Sequence, residues 1–236
     1  MNDQPLLDVD GLHVNYGKSH ILHGVSLNVN HGEVVCLLGR NGAGKTTTIK
    51  GIMGLATRTQ GKVTIAGRNA TRLPPHGVAR LGVGYVPEGR RIFPDLTVEE
   101  NLAVPAARKG RWNLHEVYEF FPRLRERRRS TGRQLSGGEQ EMLAVARALV
   151  TNPDLFIMDE PSQGLAPKIV QEIYRLIQEM AKEGISILLA EQNAFMALEI
   201  SSRVYVIDNG KIVHDGASQD LLQDRERVRA LAGASA

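Results

Sequence analysis

Gly39-Arg40-Asn41-Gly42-Ala43-Gly44-Lys45-Thr46 meets the pattern G-x-x-x-x-G-K-[ST] at every fixed position and directly follows the apolar run Val34 to Leu38. The spacing suits a chain of phosphates. Glycines let consecutive backbone N–H groups turn inward around an anion, and a helix opening behind them points its positive end at it. Lys45 would reach the β and γ phosphates, and the Thr46 hydroxyl would ligate Mg²⁺. The candidate nucleotide contacts are therefore Gly39 through Thr46, with Thr47 behind them. A glycine-rich turn carrying an incidental lysine is the alternative.

A second segment, Asp154-Leu155-Phe156-Ile157-Met158-Asp159-Glu160, is an apolar strand that ends in two acids. In a parallel sheet the carboxyl ends of strands face the ligand, which would set Asp159 beside the phosphate loop as an Mg²⁺ ligand. Glu160 is then placed to orient or deprotonate an attacking water. Alone, an Asp-Glu pair is more simply a solvated strand end. A third segment, Leu135-Ser136-Gly137-Gly138-Glu139-Gln140, opens an apolar helix pattern with the capping-box spacing Ser136-x-x-Glu139. Capping has no need of Gly137 and Gly138, whereas two glycines at a positive helix end allow close approach to an anion.

These segments need a frame. Leu7 and Val9, Leu12, Val14 and Tyr16, and Val25, Leu27 and Val29 alternate with polar residues as half-buried strands do. His31-Gly32 reads as a turn, and Val34 to Leu38, which does not alternate, as a parallel strand buried on both faces. Val63 and Ile65 mark a further short strand. From about 90 to 135 the pattern changes to arginines with interleaved aromatics, broken at Pro105, and we read a helical insertion there. A helix of about Glu139 to Thr151 then precedes the strand from Asp154 to Met158. Pro167 opens a helix with Ile169, Ile173, Leu176, Ile177 and Met180 on one stripe, Gly184 stops it, and Ile185 to Ala190 is the next strand. Asn209-Gly210 between Val204 to Ile207 and Lys211 to Val213 is a two-residue hairpin signal. There is no internal repeat, and Gly233 to Ala236 reads as a frayed end. Alternating strands and helices argue for an α/β fold with a parallel sheet. We divide one domain into a core at 1–88 and 152–236 and a helical lobe at about 89–151.

Composition excludes other classes. The chain has 236 residues, 42% of them hydrophobic, and a net charge of +3, too small to mark a polyanion-binding protein. One cysteine, Cys36, rules out an intramolecular disulfide framework and points to a reducing compartment. Met1 to Pro5 lacks the basic and apolar regions of a signal peptide, and the apolar runs are strand-length, well below the roughly 20 residues of a membrane span. His20 and His23, without a third ligand nearby in sequence, read as surface or packing residues rather than a metal site.

In their order and spacing, Gly39 to Thr46, Leu135 to Gln140 and Asp154 to Glu160 resemble the ATP-binding subunits of ABC transporters, over nearly the whole chain. That resemblance implies a phosphate-loop ATPase with a RecA-like parallel-sheet core, an antiparallel β subdomain and the helical lobe, binding ATP and Mg²⁺. It implies a head-to-tail dimer in which Ser136, Gly137, Gly138 and the adjoining Glu139 of one subunit close over ATP held by the other. Tyr16 matches the family's adenine-stacking aromatic; as a lone strand tyrosine it would simply pack. The segments Val86 to Phe93, Thr97 to Leu102, Glu160 to Pro167 and Ala190 to Asn193 are similar to branched-chain amino-acid importers, whose plan is two ATPase subunits, two permeases and an external solute-binding protein. The resemblance places the chain peripherally on the cytoplasmic face of the inner membrane.

Three positions depart from the general family pattern: Glu88 stands where glutamine is usual, Gln192 where histidine is usual and Ala166 where aspartate is usual. Gln192 can donate to a γ-phosphate oxygen but cannot accept a proton near neutrality, which moves the base role to Glu160. Glu88 keeps an oxygen for Mg²⁺ or water but adds negative charge. Finally, residues 108–133 carry nine basic and three acidic side chains, a local +6 that leaves −3 for the remainder. With Trp112, Tyr118, Phe120 and Phe121 in the same window, nucleic-acid binding, permease docking and a solvated face over an aromatic mini-core are all open readings. The length and the single cysteine fit none of the nucleic-acid members of the family, so no nucleic-acid partner is expected.

Overall fold

The computed structural model describes residues 4–105 and 108–232. The frayed end expected at Gly233 to Ala236 lies outside them. The amino-terminal part runs β1 (Leu7–Tyr16), β2 (Ser19–Val29), β3 (Val34–Leu38), α1 (Lys45–Ile52), β4 (Arg58–Ile65), β5 (Arg68–Asn69), α2 (Pro75–Ala79) and β6 (Val83–Val86). Between β6 and the next strand come α3 (Val98–Ala103), α4 (Leu114–Phe120), α5 (Pro122–Glu126) and α6 (Gly137–Leu149). The chain then alternates through β7 (Leu155–Asp159), α7 (Pro167–Lys182), β8 (Ser186–Glu191) and α8 (Ala194–Ile200). It ends in the hairpin of β9 (Arg203–Asp208) and β10 (Lys211–Ala217), followed by α9 (Ser218–Gln223) and α10 (Arg225–Ala232).

Two sheets form: an antiparallel one ordered β2-β1-β4-β5 and a larger one ordered β10-β9-β3-β8-β7-β6. In the larger sheet β9, β3, β8, β7 and β6 pair in parallel, and only β10 is antiparallel. The unalternated run of β3 has its reason here. Cys36 and Leu38 enter the cluster packed by α6, α7 and α8, while Val35 and Leu37 enter the one shared with α1 and the antiparallel sheet. β7 divides the same way, Phe156 and Met158 against Leu155 and Ile157. Burial on both faces removes any polar alternation.

Helix α6 begins at Gly137, two residues before the expected start, because Ser136 is the cap. The sequence reading names neither β6, a four-residue strand, nor β5, a two-residue one. Elements that short carry too little pattern to be read. At the predicted hairpin, Asn209 and Gly210 both have positive φ, 44° and 73°, the left-handed pair a tight two-residue turn requires. The turn also braces the site. Gly210 accepts from the His23 N–H at 2.9 Å and donates its own N–H to the Ala43 carbonyl at 2.8 Å.

Candidate active site

The phosphate loop joins β3 to α1, with Gly44 as cap at φ 118°, a conformation suited to glycine. Arg40, Asn41 and Gly42 are exposed, Gly39, Ala43, Gly44 and Lys45 are buried, and Thr46 and Thr47 are intermediate. Lys45 Nζ donates to the carbonyls of Gly39 at 2.7 Å and Arg40 at 3.1 Å. It also pairs with Glu160 Oε1 at 3.0 Å, both side chains being more than nine-tenths buried. Thr46 Oγ1 donates to Asp159 Oδ1 at 3.0 Å. Segments more than a hundred residues apart thus meet at one point, as the strand-end argument expects.

The acids there are strongly conditioned. Burial pushes the Asp159 carboxyl up to about 6, against the opposing Thr46 hydroxyl bond, with Glu160 and Glu88 adding repulsion. Asp159 Oδ2 is buried and has no hydrogen-bond partner among the described residues. An unpartnered buried carboxylate oxygen beside a threonine hydroxyl is a hard-oxygen set that fits Mg²⁺. Glu88 is exposed just past β6, so its charge reaches Asp159 without a direct bond. Glu160 sits at φ 52°, the left-handed region, where a non-glycine residue is strained by roughly 1–2 kcal/mol. Its N–H donates to the Ala190 carbonyl at 2.9 Å, which holds the turn that aims its side chain at Lys45.

Sequence reasoning missed Glu191 as a site residue. It is 2% exposed at the end of β8, and its carboxylate accepts from the Ser162 N–H at 3.2 Å and the Gln192 N–H at 3.1 Å. Burial raises its pKa against those hydrogen bonds. It therefore ties the loop after Glu160 to Gln192, and Glu160, Glu191 and Gln192 line one cleft of about 270 Å³. The usable signal was the one read for Asp159, an apolar strand ending in an acid.

Ser136, Gly137, Gly138 and Glu139 stand apart from this cluster. Among the described residues no hydrogen bond or ion pair links them to Gly39 through Thr46. The capping box is present: Ser136 Oγ accepts from the Glu139 N–H at 3.3 Å, and Glu139 Oε2 accepts from the Ser136 N–H at 2.7 Å. Gly138 has a second reason to be glycine, since an added Cβ would lie 2.6 Å from Ile169 Cγ2 of α7. Gly138→Ala is expected to destabilise the protein by about 1–3 kcal/mol, the usual cost of overpacking. The Gly138→Ala/Ile169→Ala pair should lose less than the sum of the single changes in chemical denaturation; strict additivity would refute that contact as the cause.

Tyr16 is 46% exposed, so packing does not occupy its ring. Trp112, Tyr118 and Phe121 are buried, and Phe120 makes edge contacts to Trp112 and Phe121 at 5.2 and 5.3 Å. These aromatics build a mini-core in which Trp112, Tyr118 and Phe121 are closed to a stacking base and Phe120 is half-buried. The surrounding charge is also partly matched. Arg108 pairs with Asp154 at 2.9 Å, Arg111 with Glu183, and Arg123 approaches Glu172 at 4.0 Å, three links from the basic window to acids on and near β7 and α7.

A phosphate loop carrying Lys45 and Thr46, met by two strand-end acids, is the arrangement of a nucleoside triphosphatase, and the family model described as ABC transporter matches residues 22–163. The chain belongs to the ABC transporter ATP-binding subunits. The high-affinity branched-chain amino acid transport ATP-binding protein BraG of Pseudomonas aeruginosa is 42% identical to this ABC ATPase over 233 residues, 97% of this chain and 100% of that protein. The lipopolysaccharide export system ATP-binding protein LptB of Haemophilus influenzae is 37% identical over 235 residues, 97% of each chain. The crystal structure of a nucleotide-free ATP-binding cassette from an ABC transporter superposes with a TM-score of 0.85 at 26% identity, covering 99% of this chain and 100% of that one. The chain is thus an ATP-hydrolysing subunit with the ABC cassette fold. Among the described residues no helix is long and apolar enough to cross a membrane.

Proposed function

We propose that this ABC ATPase energises an importer of branched-chain amino acids. The observation that carries the reading is its 42% identity over full length to a branched-chain amino acid transport ATP-binding protein. Lipopolysaccharide export is the second reading, favoured by the 37% identity to LptB. On the first reading the partners are a second ATPase subunit, identical or paralogous, two permeases and a solute-binding protein, at the cytoplasmic face of the inner membrane.

In this mechanism Tyr16 stacks on adenine, the backbone N–H groups of Gly39 through Thr46 with Thr47 cradle the phosphates, and Lys45 reaches the β and γ oxygens. Thr46 and Asp159, with Glu88 at its margin, hold Mg²⁺, which neutralises phosphate charge when bound. Glu160 accepts the proton of the attacking water, and Gln192, tethered through Glu191, donates to the γ-phosphate. Ser136, Gly137, Gly138 and Glu139 of one subunit cover the nucleotide of the other, with residues 89–151 moving as a lobe. Permease docking is supported by apolar exposure rather than by the basic window. Leu55, Phe93 and Val104 are 50%, 43% and 51% exposed, and a groove of about 390 Å³ runs past Leu55, Tyr85, Pro105 and Arg147. A cytoplasmic permease helix with an apolar face fits that groove.

The test is to solubilise native membranes, purify the tagged ATPase and identify what accompanies it. Two permeases together with a solute-binding protein that binds leucine, isoleucine or valine are expected. Recovery of lipopolysaccharide-export permeases instead would overturn the importer assignment.

A further inference from the structure

On the solvent side of the antiparallel sheet, β1 and β2 gather three histidines that the sequence spreads over two strands. His13 and His23 are cross-strand partners, and His20 stands opposite Asn15. His13 Nδ1 and His20 Nε2 share a 3.0 Å hydrogen bond whose donor depends on the tautomer. Their rings stack with centroids 5.1 Å apart, and the His23 ring lies 4.2 Å from that of His20, tilted by 60°. His20 and His23 are exposed and His13 is half-buried. His13 is the third imidazole that was absent from the reading of His20 and His23.

The spacing has a chemical meaning. Two imidazole nitrogens bound to one tetrahedral ion, with bonds of about 2.0–2.1 Å, lie about 3.3–3.4 Å apart. The His13–His20 pair is within a few tenths of an ångström of that separation, and replacing the shared proton by a metal ion needs only a small opening. The third ring is not yet in place: among the described residues no three His, Cys, Asp or Glu side chains already form a group that could hold an ion. Exposed side chains change rotamer on the picosecond to nanosecond scale, so His23 can turn toward the pair.

We propose that His13, His20 and His23 form a surface site for a transition-metal dication of the zinc class, with His13 and His20 as the preset pair and His23 turning in to complete it. Neutral imidazoles select Zn²⁺, Cu²⁺ or Ni²⁺ over the hard ions Mg²⁺ and Ca²⁺, which keeps this site distinct from the oxygen set at Thr46 and Asp159. Lys211 opposes a cation here, though its long flexible stem can swing clear. A bound ion would staple β1 to β2, and β2 is tied through His23 N–H and Gly210 to Ala43 of the phosphate loop.

Calorimetric titration of the tag-free full chain with ZnCl₂ at pH 7.5, without nucleotide or chelating buffer, tests the site. One saturable equivalent of Zn²⁺ is expected. His13→Ala and His20→Ala should each weaken it by more than about tenfold, at least the cost of losing a supporting contact to a ligand. His23→Ala should also weaken it, and His76→Ala should leave it unchanged. Retained ATP binding shows that each variant is folded. Unchanged Zn²⁺ affinity in the His13→Ala/His20→Ala double variant, or no saturable binding by the wild type, overturns the proposal.

Discussion

Glu160→Gln is expected to lower steady-state ATP turnover by about 10²–10⁴-fold, the usual worth of a positioned general base. The side chain keeps its size and its oxygen toward Lys45 but can no longer take a proton from water. The 3.0 Å pair between Lys45 and Glu160 adds a second expectation. In the native site a buried carboxylate competes with the phosphates for the Lys45 ammonium, and the amide competes less because it carries no charge. Equilibrium binding of a non-hydrolysable ATP analogue should therefore be as tight or tighter in Glu160→Gln, while single-turnover hydrolysis falls and the ATP-bound dimer persists in size-exclusion analysis. Undiminished turnover would falsify the base assignment. Weakened analogue binding would instead assign Glu160 a supporting role in nucleotide capture.

Glu141→Gln is expected to stabilise the protein at alkaline pH. Glu141 lies on α6 with 5% of its surface exposed, and with Arg90, Glu160 and Gln163 it lines a cleft of about 570 Å³. Burial pushes its carboxyl up to about 7, with Arg90 opposing and Glu191 adding repulsion. A raised carboxyl contributes fully below its unfolded value of 4.5 and loses that contribution as pH rises through about 7. The difference of about 2.5 pH units is worth about 3 kcal/mol once the group is ionised in the fold. Glutamine cannot ionise. Urea denaturation should find the two proteins close at pH 4.5, with the glutamine variant ahead by up to about 3 kcal/mol at pH 8.5. Parallel stability curves across that interval would show that Glu141 titrates normally.

Much of the site was legible because its chemistry is written in short windows. Eight consecutive residues specify the phosphate loop, a run of apolar residues ending in Asp159-Glu160 specifies a strand end, and Ser136-x-x-Glu139 specifies a cap that the structure contains. The hairpin at Asn209-Gly210 was equally local, since two left-handed residues leave few other turns. Glu141 was not legible, because α6 is buried over most of its circumference and a glutamate there breaks its pattern without a signal of its own. His13 was missed for a different reason: its partners lie across a strand pair whose bulges no spacing rule anticipates.

Sequence alone was enough for the groups that could handle phosphate, the α/β class, and the longer patterned strands, helices and turns, though not for the short β5 and β6 or the separate helices of the insertion. All of these follow from contacts within a few residues. Tertiary structure alone decided that Lys45 pairs with Glu160 and that Glu191 tethers Gln192, and it turned the expected nearness of Asp159 to the phosphate loop into a direct hydrogen bond from Thr46. It also put the aromatics of the basic window into a mini-core, paired three of its arginines with acids on and near β7 and α7, and left Leu55, Phe93 and Val104 exposed. The physical reason lies in the sheet. Parallel strands are joined by crossovers, so β3 sits between β8 and β9 rather than beside its neighbours in the chain, and distance along the sequence says nothing about which strand ends share a site.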